Sequence, residues 1–248
     1  MKVQNILISQ STPRVLTPYQ SVSEKFGVTF AFCPFFLIEP LTSREFRAQR
    51  INLLDYTAIV FSSRHAIDAF FSLAEELRVK IPETMKYFCT TEAVAMYLQK
   101  HIVYRKRKIF FGTGTPDSLV ALIGPKHKGE KFLITTSDSS NSDALTRLFD
   151  ARELNYTTGV FVKSVSQDLK DVDLSKYDMM VFYNPADVKS LQENFPDYVQ
   201  GEQVLISYGK SIVKAMEDAG LPIEIKAPTA EAPSVAKALE LYLEAHSS

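Results

Sequence analysis

The chain has 248 residues, 46% hydrophobic and 23% charged, which excludes disorder as the expected state and supplies enough apolar material for one large or two small cores. A formal net charge of -1 excludes a global positive field of the kind that gathers nucleic acid, so nucleic acid is not an expected partner and any anionic ligand must be met locally. The cysteines Cys33 and Cys89 lie in apolar runs without a CxxC partner, which points to core thiols in a reducing compartment and away from a disulfide framework or zinc site.

From the amino terminus, residues 1–10 carry a single lysine and a short apolar run before Ser9, far short of the apolar region of a signal peptide. No later stretch approaches the roughly 18 apolar residues that span a bilayer, so a cytoplasmic protein without a membrane partner is expected. From there one pattern recurs: a short apolar run, a turn rich in Ser, Thr, Asn or Gly, then apolar residues at helical spacing, which reads as strand, turn, helix.

Strands are predicted at Ile6 to Ile8, Val28 to Phe32 and Ala58 to Phe61. After Phe61, the residues Ala66, Ile67, Phe70, Leu73, Ala74 and Leu77 fall on one helical face, with Ser62 or Ser63 placed to cap that helix. Strands follow at Tyr87 to Cys89 and, after the basic tract Arg105 to Lys108, at Ile109 to Phe111. Further strands are predicted at Phe132 to Thr135 and Thr158 to Val162. The polar stretch Gln167 to Lys176 is the clearest break in the pattern. It is followed by strands at Met179 to Tyr183, Val204 to Ser207 and Ile223 to Lys226. Between the last two, Ile212, Val213, Met216 and Ala219 form a helical stripe that ends at Gly220 and Pro222.

The runs are short and apolar throughout, as strands of a parallel sheet covered on both faces should be, and their alternation with helices predicts doubly wound α/β sheets. They outnumber the strands of one flavodoxin-like sheet of about five, so two domains are expected. No Gly/Ser-rich or Pro-rich linker divides the chain, which fits a discontinuous arrangement in which it crosses twice.

Familiar chemical motifs are absent or incomplete. Gly112-Thr113-Gly114 lacks the third glycine of a dinucleotide fingerprint, since Asp117 holds that position, and a helix-capping turn accounts for both glycines. The tract Arg105 to Lys108 has no second basic cluster beside it and reads as a solvated edge. His65, His101, His127 and His246 lack metal-ligand spacing, and no GxSxG elbow surrounds Ser62, Ser63 or Ser137, so neither a metal nor a cofactor is expected. What remains are the turns after the strands: Ser62 to Arg64, Thr90-Thr91, Thr113 to Thr115, Ser137 to Ser142, Asn184, and Tyr208 to Ser211. In an open α/β sheet this is the ligand-binding edge, where helix amino termini present free N–H groups to anions. Each such helix also needs a Ser, Thr or Asn cap, and that role alone accounts for most of these residues.

These turns also carry a resemblance. Phe61-Ser62-Ser63-Arg64-His65-Ala66-Ile67 resembles the F-T-S strand end and following helix of the uroporphyrinogen-III synthase family. Phe182-Tyr183-Asn184-Pro185 is similar to that family's second strand end, F-x-S-P. Tyr208 to Met216 and then Ala219-Gly220-Leu221-Pro222-Ile223 resemble I-G-x-T-T-A-x-A-L followed by G-L-x-V. The closing Ala227-Pro228-Thr229 and Pro233-Ser234-Val235 also fit, so the likeness runs in order from Ile6 to about Leu241. Three segments depart from it: Val162 stands where a tyrosine is common, Glu92 where a threonine is usual, and Thr135 to Asp138 replace an arginine-glycine turn.

The resemblance implies two flavodoxin-like α/β domains with a discontinuous boundary, residues 1–36 with 167–248 and residues 37–166, and an interdomain cleft for the substrate. It implies a cyclising hydro-lyase of heme, siroheme and corrin biosynthesis that converts hydroxymethylbilane to uroporphyrinogen III with loss of water and inversion of ring D. No cofactor or metal is implied, and no catalytic side chain is singled out. The implied substrate-binding residues are Ser62, Ser63, Arg64, Thr90, Thr91, Ser137, Lys163, Tyr183, Asn184, Tyr208, Lys210 and Ser211. A monomer that receives its substrate from hydroxymethylbilane synthase is expected. The competing expectation is a non-catalytic two-domain binding protein for an anionic small molecule.

Overall fold

The computed structural model describes residues 3–139 and 142–246. The chain begins with β1 (Asn5–Ile8), α1 (Thr17–Phe26) and β2 (Thr29–Phe32), followed by β3 (Phe36–Pro40). Next come α2 (Ser43–Arg47), β4 (Ala58–Phe61), α3 (Arg64–Glu76), β5 (Lys86–Cys89), α4 (Glu92–Tyr97), β6 (Ile109–Phe111), α5 (Pro116–Val120), β7 (Lys131–Ser137) and α6 (Asp143–Ala151). The long β8 (Asn155–Ser166) leads to β9 (Met179–Phe182), α7 (Pro185–Asn194), β10 (Val204–Tyr208), α8 (Lys210–Asp218), β11 (Ile225–Ala227) and α9 (Val235–Ala245). These elements form two compact units, Met1–Leu37 with Val165–Ser248, and Ile38–Ser164.

The first unit holds a sheet ordered β2-β1-β9-β10-β11 in which every pair is parallel. Numbered within the unit this is 2-1-3-4-5, the flavodoxin order, with its switch point between β1 and β9. The sheet of the second unit is ordered β3-β8-β7-β4-β5-β6, and its strands β8 to β6 pair in parallel. Read from β7 through β8 to β4, β5 and β6 it has the same 2-1-3-4-5 order, so it is a circular permutation of the first, with its switch point between β7 and β4.

Strand burial follows from the period-2 alternation of side chains. In the first unit Leu7, Met180 and Phe182 enter the core on one face, while Ile6, Ile8, Met179 and Val181 enter the core on the other. In the second unit Ile59 and Phe61 pack under α3, and Ala58 and Val60 pack on the opposite face. Every residue of β4 and β9 is buried, which is why both read as unbroken apolar runs. Helix α3 buries Ala66, Ile67, Ala69, Phe70, Leu73 and Ala74, and the Ser63 hydroxyl accepts the Ala66 amide at 3.1 Å as its cap. Each fully buried Phe or Leu of such a face contributes roughly 1.5 to 3 kcal/mol.

Several boundaries differ from the sequence reading. β3 was not expected: it lies at the edge of its sheet and is mostly exposed, and its apolar run Phe36 to Ile38 gives way to Glu39 and Pro40. β8 extends from Asn155 to Ser166, beyond the expected Thr158 to Val162, because backbone pairing continues through its polar ends. The last strand is β11 at Ile225–Ala227, which begins two residues later and ends one residue later than expected, and Tyr183 falls just past β9. Cys89 is buried, and burial pushes its thiol up to about 12, but Cys33 is only half-buried. The tract Arg105 to Lys108 is solvent-facing at Lys106 and Arg107.

Candidate functional site

In the first unit, the carboxyl ends of β1 and β9 separate at the switch point, and a cavity of about 580 Å³ opens there. Its walls are Ser9, Gln10 and Ser11 after β1, Pro34 and Phe36 after β2, Tyr183, Asn184 and Asp187 after β9, and Tyr208 at the end of β10. The Tyr183 and Tyr208 rings lie 5.5 Å apart at 53°, and the Tyr208 hydroxyl is fixed by a 2.9 Å bond to the Pro233 carbonyl. Aromatic faces alternate with hydroxyl, amide and carboxyl groups, a lining suited to a flat ring system with polar substituents.

Asp187 is the buried ionisable group of this cavity, with no solvent exposure. Its Oδ2 accepts from the Ser9 hydroxyl at 2.8 Å, the Tyr183 amide at 2.8 Å and the Asn184 amide at 3.0 Å. Asn184 in turn caps α7, accepting the Ala186 amide at 2.9 Å, so strand end and helix start are tied by one reciprocal set of bonds. Oδ1 is buried and has no partner among the described residues. Burial raises the carboxyl from 3.8 to about 6, against the opposing effect of the bonds from Tyr183, Ser9 and Asn184.

The second unit has a smaller cavity of about 160 Å³ at its own switch point, lined by Val60, Ser62, Thr90, Gly114, Pro116, Ile134, Thr135, Thr136, Ser142 and Leu145. The Thr135 hydroxyl donates to the Val60 carbonyl at 2.7 Å across β7 and β4. Gly114, at φ 103°, donates its amide to the Thr90 carbonyl at 2.8 Å and brings that turn over the cavity, a conformation that favours glycine.

The sequence-derived residues distribute as follows. Tyr183, Asn184 and Tyr208 line the larger cavity, and Ser62 and Thr90 line the smaller. Ser63 and Thr91 are helix caps, accepting the Ala66 and Val94 amides at 3.1 and 3.3 Å. Arg64 opens α3 with its guanidinium 5.4 Å from the centre of the Tyr97 ring. Ser137 ends β7, its hydroxyl 3.5 Å from that of Ser139, while residues 140 and 141 of the expected Ser137 to Ser142 turn lie outside the described residues. Lys210 and Ser211 begin α8, exposed, behind Gly209 at φ 111°.

Lys163 differs from expectation. It lies within β8, not after a strand end, and pairs with Glu45 at 2.8 Å, which holds that carboxyl down at about 2. Ser9, Gln10, Ser11, Pro34, Phe36 and Asp187 were missed. The signal that could have found them is the first strand itself, whose end Ser9-Gln10-Ser11 is as polar as the strand-end turns that were noticed.

Among the described residues no group of three His, Cys, Asp or Glu side chains is placed to hold a metal ion, and no helix is long and apolar enough to cross a membrane. No curated protein sequence is significantly similar to the chain. In fold the chain is similar to uroporphyrinogen-III synthetase from Helicobacter pylori 26695, with 17% identity, a TM-score of 0.56, and 98% of this chain and 99% of that one covered. It is also similar to a mutant uroporphyrinogen III synthase from the extremely thermophilic bacterium Thermus thermophilus, with 14% identity, a TM-score of 0.52, and the same 98% and 99% coverage. The sequence itself matches the family described as uroporphyrinogen-III synthase HemD over residues 18–237, from within α1 into α9. The chain belongs to the uroporphyrinogen-III synthase HemD family.

Proposed function

We propose that the chain is a working uroporphyrinogen-III synthase: it converts hydroxymethylbilane to uroporphyrinogen III, with loss of water and inversion of ring D. The family match over residues 18–237 is the observation that carries this reading. The cavity at the first switch point supports it, since Phe36, Tyr183 and Tyr208 offer faces to pyrrole rings while Ser9, Gln10, Ser11 and Asn184 offer polar contacts to their substituents.

The substrate closes unaided to the uninverted type I isomer, so the enzyme's task is chiefly to hold a curled geometry. Positioning of that kind can supply roughly 7 to 11 kcal/mol of a barrier in favourable cases. The substrate's carboxylates are shared among the strand-end turns, through Ser62, Ser63, Arg64, Thr90, Thr91, Ser137, Tyr183, Asn184, Tyr208, Lys210 and Ser211. One helix amino terminus contributes about 0.3 to 1 kcal/mol to an anion, so several act together. Lys163 joins this set with its charge already paired to Glu45.

The protein acts as a cytoplasmic monomer and takes its substrate from hydroxymethylbilane synthase, a hand-over favoured by how readily the free substrate closes to the wrong isomer. Incubation with freshly made hydroxymethylbilane, followed by oxidation and separation of the type I and type III uroporphyrins, tests the reading. Type III product in excess of the unaided background is expected, and type I alone contradicts it.

A further inference from the structure

The cavity of the first unit contains one acid whose hydrogen bonding is lopsided. Asp187 Oδ2 already accepts three bonds, from the Ser9 hydroxyl and the Tyr183 and Asn184 amides, and Oδ1 accepts none among the described residues. A carboxyl oxygen with three donors against it has no room for a proton, so when Asp187 is protonated the proton sits on Oδ1. The three bonds also fix the orientation of the carboxyl, and Asp187 is one of the residues that line the cavity, with Oδ1 as its unsatisfied oxygen. A fully buried carboxyl oxygen without a partner costs free energy in the resting protein, and a group of the substrate can relieve that cost.

We propose that Asp187 Oδ1 is the proton donor that removes the terminal hydroxyl of the bilane as water. The inference rests on the functional reading above. In the step, the Oδ1–H bond breaks and its proton goes to the hydroxyl oxygen. The C–O bond then breaks, with its electron pair leaving on the water. The adjacent pyrrole nitrogen supplies electrons to the carbon, giving an azafulvenium cation opposite the newly formed carboxylate. When the ring closes and the last pyrrole regains aromaticity, the proton lost from its ring carbon returns to Oδ1. One water leaves per turnover and Asp187 ends as it began.

The environment suits both halves of that cycle. Desolvation holds the acid within reach of neutral pH, which is what general acid catalysis needs. The titratable group beside it is the phenol of Tyr183, just past β9, which in turn interacts with Tyr19 on α1 and Tyr208 on β10. Burial pushes Tyr183 up, so it stays protonated throughout the working range. The β1 end contributes only the uncharged Ser9, Gln10 and Ser11, and on α7 Lys189 lies 3.8 Å from Glu193. The cation at the start of α8 is the exposed Lys210.

The test measures type III uroporphyrin formation from hydroxymethylbilane against pH for the wild type, Asp187→Asn and Ser9→Ala, with folding of each checked by circular dichroism. Asp187→Asn keeps an oxygen for the Tyr183 and Asn184 amides but has no proton to give. We expect its turnover number to fall on the order of 100- to 10,000-fold, with the Michaelis constant changed less than about threefold and the loss of rate toward high pH abolished. Ser9→Ala removes a donor that stabilises the carboxylate, so the pH at which the rate falls should move upward by about half a unit or more. A purely structural Asp187 would lower the amount of folded protein and leave the pH profile of the remainder unchanged. If Asp187→Asn does not fold, the Ser9→Ala profile decides, and an unmoved or downward-shifted profile overturns the proposal. Asp187→Asn turning over within about threefold of wild type overturns it as well, while the functional reading stands. A wild type that yields only the type I isomer overturns both.

Discussion

The carboxyl of Asp187 ties stability to pH in a direction that can be worked out from its environment. Its pKa is raised from 3.8 to about 6 on folding, so the native state holds this proton more tightly than the unfolded chain does. The native state is therefore favoured below about pH 4, and the advantage is lost as pH rises through about 6. Two units correspond to about 3 kcal/mol at full effect. Urea denaturation of the wild type and of Asp187→Asn from pH 4 to 7.5 should show the wild type losing that much relative to the variant. Parallel stabilities across the range would contradict the burial argument. Gly209 provides a second test, since φ 111° suits glycine although nothing lies within 4 Å of an added Cβ. Gly209→Ala should therefore cost about 1 to 3 kcal/mol through backbone strain alone, read as a lowered melting temperature. At this scale the local roles could be read and the distant ones could not. Ser63 was legible as a cap because its partner is three residues away, whereas Asp187 meets Ser9 across 178 positions of sequence. The ion pair of Lys163 was unreadable for the same reason, because Glu45 lies 118 positions away.

At the level of elements, the residues that open the helices test the binding role proposed for the strand-end turns. Arg64 and Lys210 open α3 and α8 at the carboxyl edges of their sheets. Arg64→Ala and Lys210→Ala should each raise the Michaelis constant roughly fivefold or more with little change in turnover number, as when uniform binding is lost. Lys106→Ala, in the solvent-facing tract before β6, should be silent in the same assay. The reverse pattern would place the site elsewhere. Ser63→Ala removes the bond to the Ala66 amide and should cost about 1 kcal/mol, as a lower urea midpoint with an unchanged slope. The central strands were legible because burial on both faces leaves an unbroken apolar run, as in Ala58–Phe61. β3 was not, because an edge strand buries little, and Phe36–Pro40 ends in a proline that reads as a breaker. The polar ends of β8 were invisible for a related reason: backbone pairing, not side-chain burial, keeps them extended.

For the whole molecule, the two sheets share one strand order, direct in β2-β1-β9-β10-β11 and permuted in β8-β7-β4-β5-β6. Each has a cavity at its own switch point, of about 580 Å³ and about 160 Å³. The repetition of strand, turn and helix made the α/β class readable from sequence. Strand order was not readable, because pairing such as β1 with β9 joins segments more than a hundred residues apart. The family's activity, placed on this scaffold, makes one claim above all: the protein inverts the last ring instead of letting the bilane close as it would alone. The direct measurement is the isomer ratio after freshly prepared hydroxymethylbilane is incubated with the purified protein, oxidised and chromatographed. Type III uroporphyrin is predicted to predominate and to rise in proportion to the amount of protein. A product that stays type I at every protein concentration would contradict that claim.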